Sequence, residues 1–147
     1  MTTRSRDRFV LVSDAVIRCI DTFMQGDGGE REAGGLLLGL RRDPHIEIVE
    51  ATLPAAGDLR ESHHFHRRDP SHQQAATRAW RKSGRIIDYV GEWHSHPEDR
   101  PKPSRLDRDE MLRRSEEHRG EALVELIVGW SELYAGLVCD QTYSHLK

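Results

Sequence analysis

Apolar residues along this chain switch between helical and strand periods, and the switches mark its elements. Phe9 to Val12 reads as a short strand. Ser13 can cap a helix running to about Gln25, because Val16, Ile17, Ile20, Phe23 and Met24 recur on one helical face. Cys19 falls close to that face and reads as a small buried hydrophobe. Gly26, Gly28 and Gly29 then end the helix in a turn. Gly34 to Leu40 is an unbroken apolar run, the pattern of a buried strand. Arg41 to Pro44 read as a turn. His45 to Leu53 alternates Ile46, Ile48 and Ala51 with polar neighbours, as a second strand would. Pro54 to His64 reads as a loop.

Asp69-Pro70 predicts a helix start, with an acidic cap before proline at the first helical position. Ala75, Ala76, Ala79 and Trp80 form the apolar face of that helix, and Gly84 fits its end. Arg85 to Trp93 reads as a strand through Ile86, Ile87, Tyr89 and Val90. Pro103-Ser104 opens a third helix to about His118. Asp107, Asp109 and Glu110 come before Arg113 and Arg114 in it, the order the helix dipole favours. Leu123 to Trp130 and Leu133 to Val138 are two further apolar strands. Three helices interleaved with six or seven strands predict an α/β layered fold, one mixed sheet flanked by helices. No repeat or low-complexity tract breaks the sequence, and 147 residues suit one domain, 1–147.

Composition narrows the function classes. The chain is 36% hydrophobic and 32% charged, with a formal net charge of −3. Without a basic excess there is no general means of neutralising phosphates, so no nucleic-acid partner is expected. Arg41-Arg42, Arg67-Arg68 and Arg113-Arg114 read as solvated surface. The two cysteines, Cys19 and Cys139, form no CxxC pair, which fits a reducing cytosol. No apolar run after the first residues resembles a signal peptide, and neither Leu36–Leu38 nor Leu126–Trp130 is long enough to span a membrane. A cytoplasmic protein without a membrane partner is the expectation.

Candidate chemistry is concentrated in one stretch: Gly-Glu-Trp-His94-Ser-His96-Pro, seven residues from Pro97 to Pro103, then Ser104-Arg-Leu-Asp107. Residues two apart on a strand point to one side, so His94 and His96 can approach one ion together. Asp107, in the first turn of the next helix, can return beside the strand end. Two imidazoles and a carboxylate leave the fourth position of a zinc site open to water. Each part has an ordinary explanation: His-x-His arises by chance, and Ser104-x-x-Asp107 is a helix capping box.

Together these residues resemble the JAMM (JAB/MPN) metallopeptidase motif: an upstream glutamate, His-x-His, seven residues, serine, two residues, aspartate. Glu32-Ala33-Gly34-Gly35 is similar to the family's upstream Glu-x-Gly-Gly segment. The resemblance implies the JAB/MPN fold and one zinc ion per chain, held by His94, His96 and Asp107, with a catalytic water. It implies Glu32 as general base and Ser104 as hydrogen-bond donor to the oxyanion. Glu30 is the neighbouring acid that could replace Glu32, and only the following Gly-Gly favours Glu32. Gly34 and Gly35 either allow tight strand packing or let a substrate strand approach.

A narrower likeness, carried by Phe65 to Gln74, Trp80, Gly84 and Tyr89 to Trp93, is to short bacterial JAB deconjugating peptidases of CBASS anti-phage operons. It implies an isopeptidase that releases the C-terminal tail of a cGAS-like nucleotidyltransferase from target lysines, with a functional link to an E1–E2-like fusion. Processing of a bacterial ubiquitin-like modifier is the alternative, and a non-catalytic MPN-type scaffold a third reading. An extended tail is expected to add as a strand at a sheet edge near Leu36 to Leu40. His63, His64, His66 and His72 form a second histidine-rich patch with no carboxylate or cysteine completing a metal set. His66 and Asp69 are candidates for the groove edge. Trp93 is expected in the core, and Glu92 on the His94 side, where it could support that ligand from behind.

Overall fold

The computed structural model describes residues 1–5, 7–24 and 31–147, and only the backbone of Arg4 and Ser5. The expected end of the first helix at Gln25, the Gly26–Gly29 turn and Glu30 lie outside the described residues.

Ten strands and three helices occur among the described residues. Their order is β1 (Thr2–Ser5), β2 (Arg8–Val12), α1 (Asp14–Asp21), β3 (Gly34–Arg42), β4 (His45–Ala51), β5 (Leu59–Arg60), β6 (Phe65–His66), α2 (Ser71–Lys82), β7 (Asp88–Ser95), α3 (Arg105–Glu117), β8 (Leu123–Val128), β9 (Leu133–Cys139) and β10 (Thr142–His145). Eight strands form one mixed sheet in the order β1-β2-β4-β3-β7-β8-β9-β10, while β5 and β6 pair as a small hairpin. Only β2 with β4 and β7 with β8 run parallel. The sheet curls until its two edges approach: the Thr3 hydroxyl donates to the Lys147 carbonyl at 3.1 Å.

Strand alternation sorts the core into two layers. Leu37, Val90 and Trp93 face the α1 side with Val10, Val16, Ile20 and Ile48. Leu36, Leu38 and Tyr89 face the other side with Ala76 of α2 and Met111 of α3. Helices therefore flank a mixed sheet on both faces, the layered α/β architecture expected from the sequence.

Several boundaries differ from the pattern reading. Ser13 caps α1 through Val16 N–H at 3.3 Å as expected, but α1 ends at Asp21. Cys19 is exposed, not buried: it flanks the face of α1 that carries Val16 and Ile20. Arg41 and Arg42 extend β3 instead of turning, because Arg41 reaches inward to the carbonyls of Ala122 and Tyr89. α2 begins at Ser71, one residue later than expected, though Asp69 still accepts the Ser71 N–H at 2.8 Å. β7 begins only at Asp88, since Gly84 and Arg85 both take positive φ and leave Ile86 exposed. β1, β5, β6 and β10 are too short or too polar for their periodicity to show.

A candidate metal centre

β7 carries both histidines to its C-terminal end. Trp93 turns into the α1 layer, where its Nε1 donates to the Thr52 carbonyl at 2.9 Å. Its neighbours Glu92 and His94 consequently face α3. His96 follows the last strand residue and stays in line because its N–H bonds the Val128 carbonyl at 2.9 Å. The loop from Pro97 to Pro103 folds back onto the β8–β9 turn, with the Glu98 and Asp99 carbonyls accepting the Trp130 and Ser131 N–H groups at 2.8 and 3.3 Å. This return delivers the first turn of α3 to the strand end.

Ser104 and Asp107 form a complete capping box there. The Ser104 hydroxyl oxygen accepts the Asp107 N–H at 3.0 Å, and Asp107 Oδ2 accepts the Ser104 N–H at 2.7 Å. The same Oδ2 stands 3.5 Å from His94 Nε2 and 3.3 Å from His96 Nε2, while the two Nε2 atoms are 3.1 Å apart. Ligands at zinc bond lengths on a tetrahedral face are separated by about 3.3 Å. The three donor atoms thus match the face of a tetrahedral site and form a group able to hold a metal ion.

Glu32 completes the cluster, with Oε1 4.0 Å from His96 Nε2. Ser95, between the two histidines, fixes its position: Ser95 N–H donates to the Ala33 carbonyl and the Ser95 hydroxyl oxygen accepts the Ala33 N–H, both at 2.9 Å. On the other side, Glu32 N–H bonds the Glu61 carbonyl at 2.8 Å and Arg60 Nε donates to the Glu32 carbonyl at 2.9 Å. Gly34 and Gly35 serve close packing. A Cβ on Gly35 would lie 2.1 Å from the Thr52 carbonyl oxygen, and one on Gly34 would strike Phe65 and the Trp93 carbonyl.

Charge at the site is unbalanced. Glu32, Asp107 and Glu125 are buried around two imidazoles. Burial pushes the Glu32 carboxyl up to about 7, against the pull of His94 and His96. Burial disfavours a charged His94, yet the hydrogen bond to Asp107 and the charges of Glu125, Asp107 and Glu32 outweigh it and raise that imidazole to about 9. Burial opposes ionisation of Asp107, but hydrogen bonds from His94, His96 and the Ser104 N–H hold it well below the carboxylate range. Three buried acids thus draw positive charge into the site, and its donor set suits a divalent cation. Beside it lies a cavity of about 40 Å³ lined by Glu32, His64, Glu92, His94, Asp107 and Glu125, among others. That is room for a water or two.

Other expectations resolve differently. Glu92 does not support His94. It accepts Arg67 Nε at 2.9 Å and pairs with Arg114 Nε at 2.6 Å. The acid behind His94 is Glu125, 3.8 Å from Nδ1, which pattern reading passed over inside an apolar strand. A glutamate amid Leu-Val-x-Leu-Ile-Val was the available signal. The second histidine patch does not converge. His72 is buried, its Nε2 2.6 Å from Asp58 and its Nδ1 2.6 Å from the Thr52 hydroxyl. Asp58 also accepts the N–H groups of Ala55, Arg68 and Asp69 at 2.8 to 2.9 Å, pinning the segment between β4 and α2. His63 is exposed, and His64 and His66 stack edge-on, 4.0 Å apart, with His64 on the cavity wall. Asp69 binds the Gly57 and Ser71 N–H groups and is structural. β3 has no free edge for a tail to join, because β4 and β7 pair with it on either side. No helix among the described residues is long and apolar enough to cross a membrane.

The family described as prokaryotic homologues of the JAB domain matches residues 25–136. Three curated relatives share the name "CD-NTase/cGAS isopeptidase". One from Pseudomonas aeruginosa is 42% identical over 81% of this chain and 78% of its own length. One from Vibrio cholerae is 33% identical over 88% and 82%, and one from Escherichia coli 32% over 96% and 89%. A solution structure of a Desulfitobacterium hafniense protein superposes with a TM-score of 0.66 at 21% identity, covering 92% of this chain and 88% of that one, and shares its fold.

Proposed function

The chain belongs to the prokaryotic homologues of the JAB domain, and from that premise we propose that residues 1–147 form one zinc-dependent isopeptidase domain. The observation that carries this is the donor triangle of His94, His96 and Asp107 with Glu32 poised 4.0 Å from His96. The names of the three relatives, "CD-NTase/cGAS isopeptidase", support an isopeptide substrate of that class, and our reading places the cut between the C-terminus of a cGAS-like nucleotidyltransferase and a target lysine. In this reading the enzyme is cytoplasmic, acts beside an E1–E2-like conjugating fusion in CBASS anti-phage defence, and reverses the conjugation.

His94, His96 and Asp107 would hold the zinc ion, which would supply Lewis acidity for a carbonyl oxygen and a water. Glu32 takes a proton from the attacking water as its oxygen bonds the carbonyl carbon, and delivers it to the departing lysine amine as the amide C–N bond breaks. Ser104 spends its hydroxyl oxygen on the Asp107 N–H, which leaves its proton to donate to the developing oxyanion. Ser95, Arg60 and Glu61 hold Glu32 in place throughout.

The test is incubation of the zinc-loaded protein with a cGAS-like nucleotidyltransferase whose C-terminus is isopeptide-linked to a lysine peptide. Release of both intact products, seen by mass spectrometry and lost in Glu32→Gln, is expected. An uncut conjugate under zinc-loaded conditions would overturn the substrate assignment.

A further inference from the structure

All six residues of β8, Leu123–Val128, are buried, and five of them are apolar. The sixth is Glu125, whose side chain is 3% exposed. A carboxylate withdrawn from water to this degree is strongly disfavoured unless its surroundings answer its charge. Two groups face it. The Tyr143 hydroxyl of β10 donates to Oε2, and His94 Nδ1 stands 3.8 Å from Oε1. The other nitrogen of that imidazole, Nε2, belongs to the donor triangle.

Which nitrogen of a ligating histidine carries the proton is set by what the other nitrogen meets. We propose that Glu125 is a positioning residue for the metal centre: it keeps the His94 proton on Nδ1, so that Nε2 presents its lone pair to the ion, and Tyr143 holds Glu125 in that role. This rests on the reading of His94 as a ligand. His96 offers the contrast. Its Nδ1 also has an acid at 3.8 Å, Glu98, but that side chain is 53% exposed and screened by solvent. One ligand is thus oriented from inside the sheet and the other from the rim. The arrangement reaches beyond the linear motif, which ends at Asp107, and beyond the family match, which ends at residue 136. It makes β10 part of the site. Arg108 of α3 covers the Tyr143 ring at 5.5 Å and helps to seat it.

The test is zinc affinity by competition with a chromophoric chelator, together with imidazole ¹⁵N NMR of the metal-free protein at alkaline pH, where the His94 imidazole is neutral. Glu125→Gln keeps size and an acceptor for Tyr143 but removes the charge facing Nδ1. It is expected to weaken zinc binding roughly 10- to 100-fold and to move His94 toward the Nε2-protonated tautomer. Tyr143→Phe is expected to weaken binding in the same direction by roughly 2- to 10-fold, the worth of one hydrogen bond. Glu98→Gln is expected to change it less than Glu125→Gln does. Wild-type affinity and an unchanged tautomer in Glu125→Gln overturn the proposal. If that variant does not fold, wild-type affinity in Tyr143→Phe overturns it instead. A wild-type protein that binds no zinc overturns both this inference and the metal-site reading, whereas zinc binding indifferent to Glu125 and Tyr143 overturns this inference alone.

Discussion

Ser104 and Asp107 hold each other at the start of α3, each side chain accepting the other's backbone N–H at 3.0 and 2.7 Å. The capping box and the metal-site motif are therefore one structure. The N–H that caps the helix also aims Asp107 Oδ2 at His94 and His96. Replacing Ser104 by alanine removes the cap acceptor and the proposed oxyanion donor together. Loss of the cap should cost about 1 kcal/mol of stability, and loss of the donor roughly 10²-fold or more in turnover. Thermal melts and zinc-loaded turnover separate the two. A variant that only melts earlier would reduce Ser104 to a cap.

Glu32→Gln should bind zinc and lose cleavage, since the amide keeps the shape of the side chain but cannot accept the proton. Metal content by mass spectrometry, measured beside turnover, checks this. Normal turnover would exclude Glu32 as the base.

The same substitution should stabilise the metal-free protein in a pH-dependent way. The Glu32 carboxyl is raised by burial from 4.5 to about 7 in the folded state. A raised carboxyl favours the fold at low pH, and that advantage is lost as pH climbs from about 4.5 through 7, where the unfolded chain ionises first. Glu32→Gln should therefore match the wild type near pH 4 and exceed it by about 1–3 kcal/mol at pH 8. Chemical denaturation of the chelated protein at both pH values measures the difference.

Removal of metal should abolish cleavage but leave the fold intact. Every element carrying a donor is anchored without the metal: β7 by β3 and β8, and α3 by its capping box and by Met111 in the core. Circular dichroism should be unchanged by chelator. Excess zinc should raise the melting temperature, by an amount equivalent to about 4 kcal/mol at a thousandfold excess over Kd.

Asp58→Ala should destabilise the protein without touching the donors. Burial disfavours the Asp58 charge, but hydrogen bonds from Asp69, His72, Ala55 and Arg68 outweigh it and keep the group below its ordinary 3.8. The variant strands those donors and should cost about 3 kcal/mol or more. In the wild type this contribution should fade as pH falls below that ordinary value. Urea titrations of both proteins test it.

Much of this arrangement is legible in the sequence because it is local. His94, His96, Ser104 and Asp107 depend on strand alternation and one helical turn, and the structure brings them together at hydrogen-bonding distances. Glu32 converges from a distant segment, and only its Gly-Gly neighbour announced it. What remained hidden depends on partners brought in by tertiary pairing. Glu125 means little until β10 and His94 flank it. Glu92 lies on the predicted side, but arginines from two other segments claim it. The expected edge at Leu36–Leu40 failed for the same reason: an apolar run predicts burial, and burial here includes a strand on either side.

The site's chemistry rests on strands and on α3, while one wall of its cavity, through His64, Phe65 and Arg67, comes from the segment joining β4 to α2. That segment hangs from Asp58 and meets the upstream glutamate through Arg60 and Glu61. Under the proposed function, such a division would let the preference for one protein tail over another change through this one surface segment. The proposed hydrolytic residues would be inherited unaltered beneath it, and a chimera carrying a relative's segment between β4 and α2 would take on that relative's choice of tail.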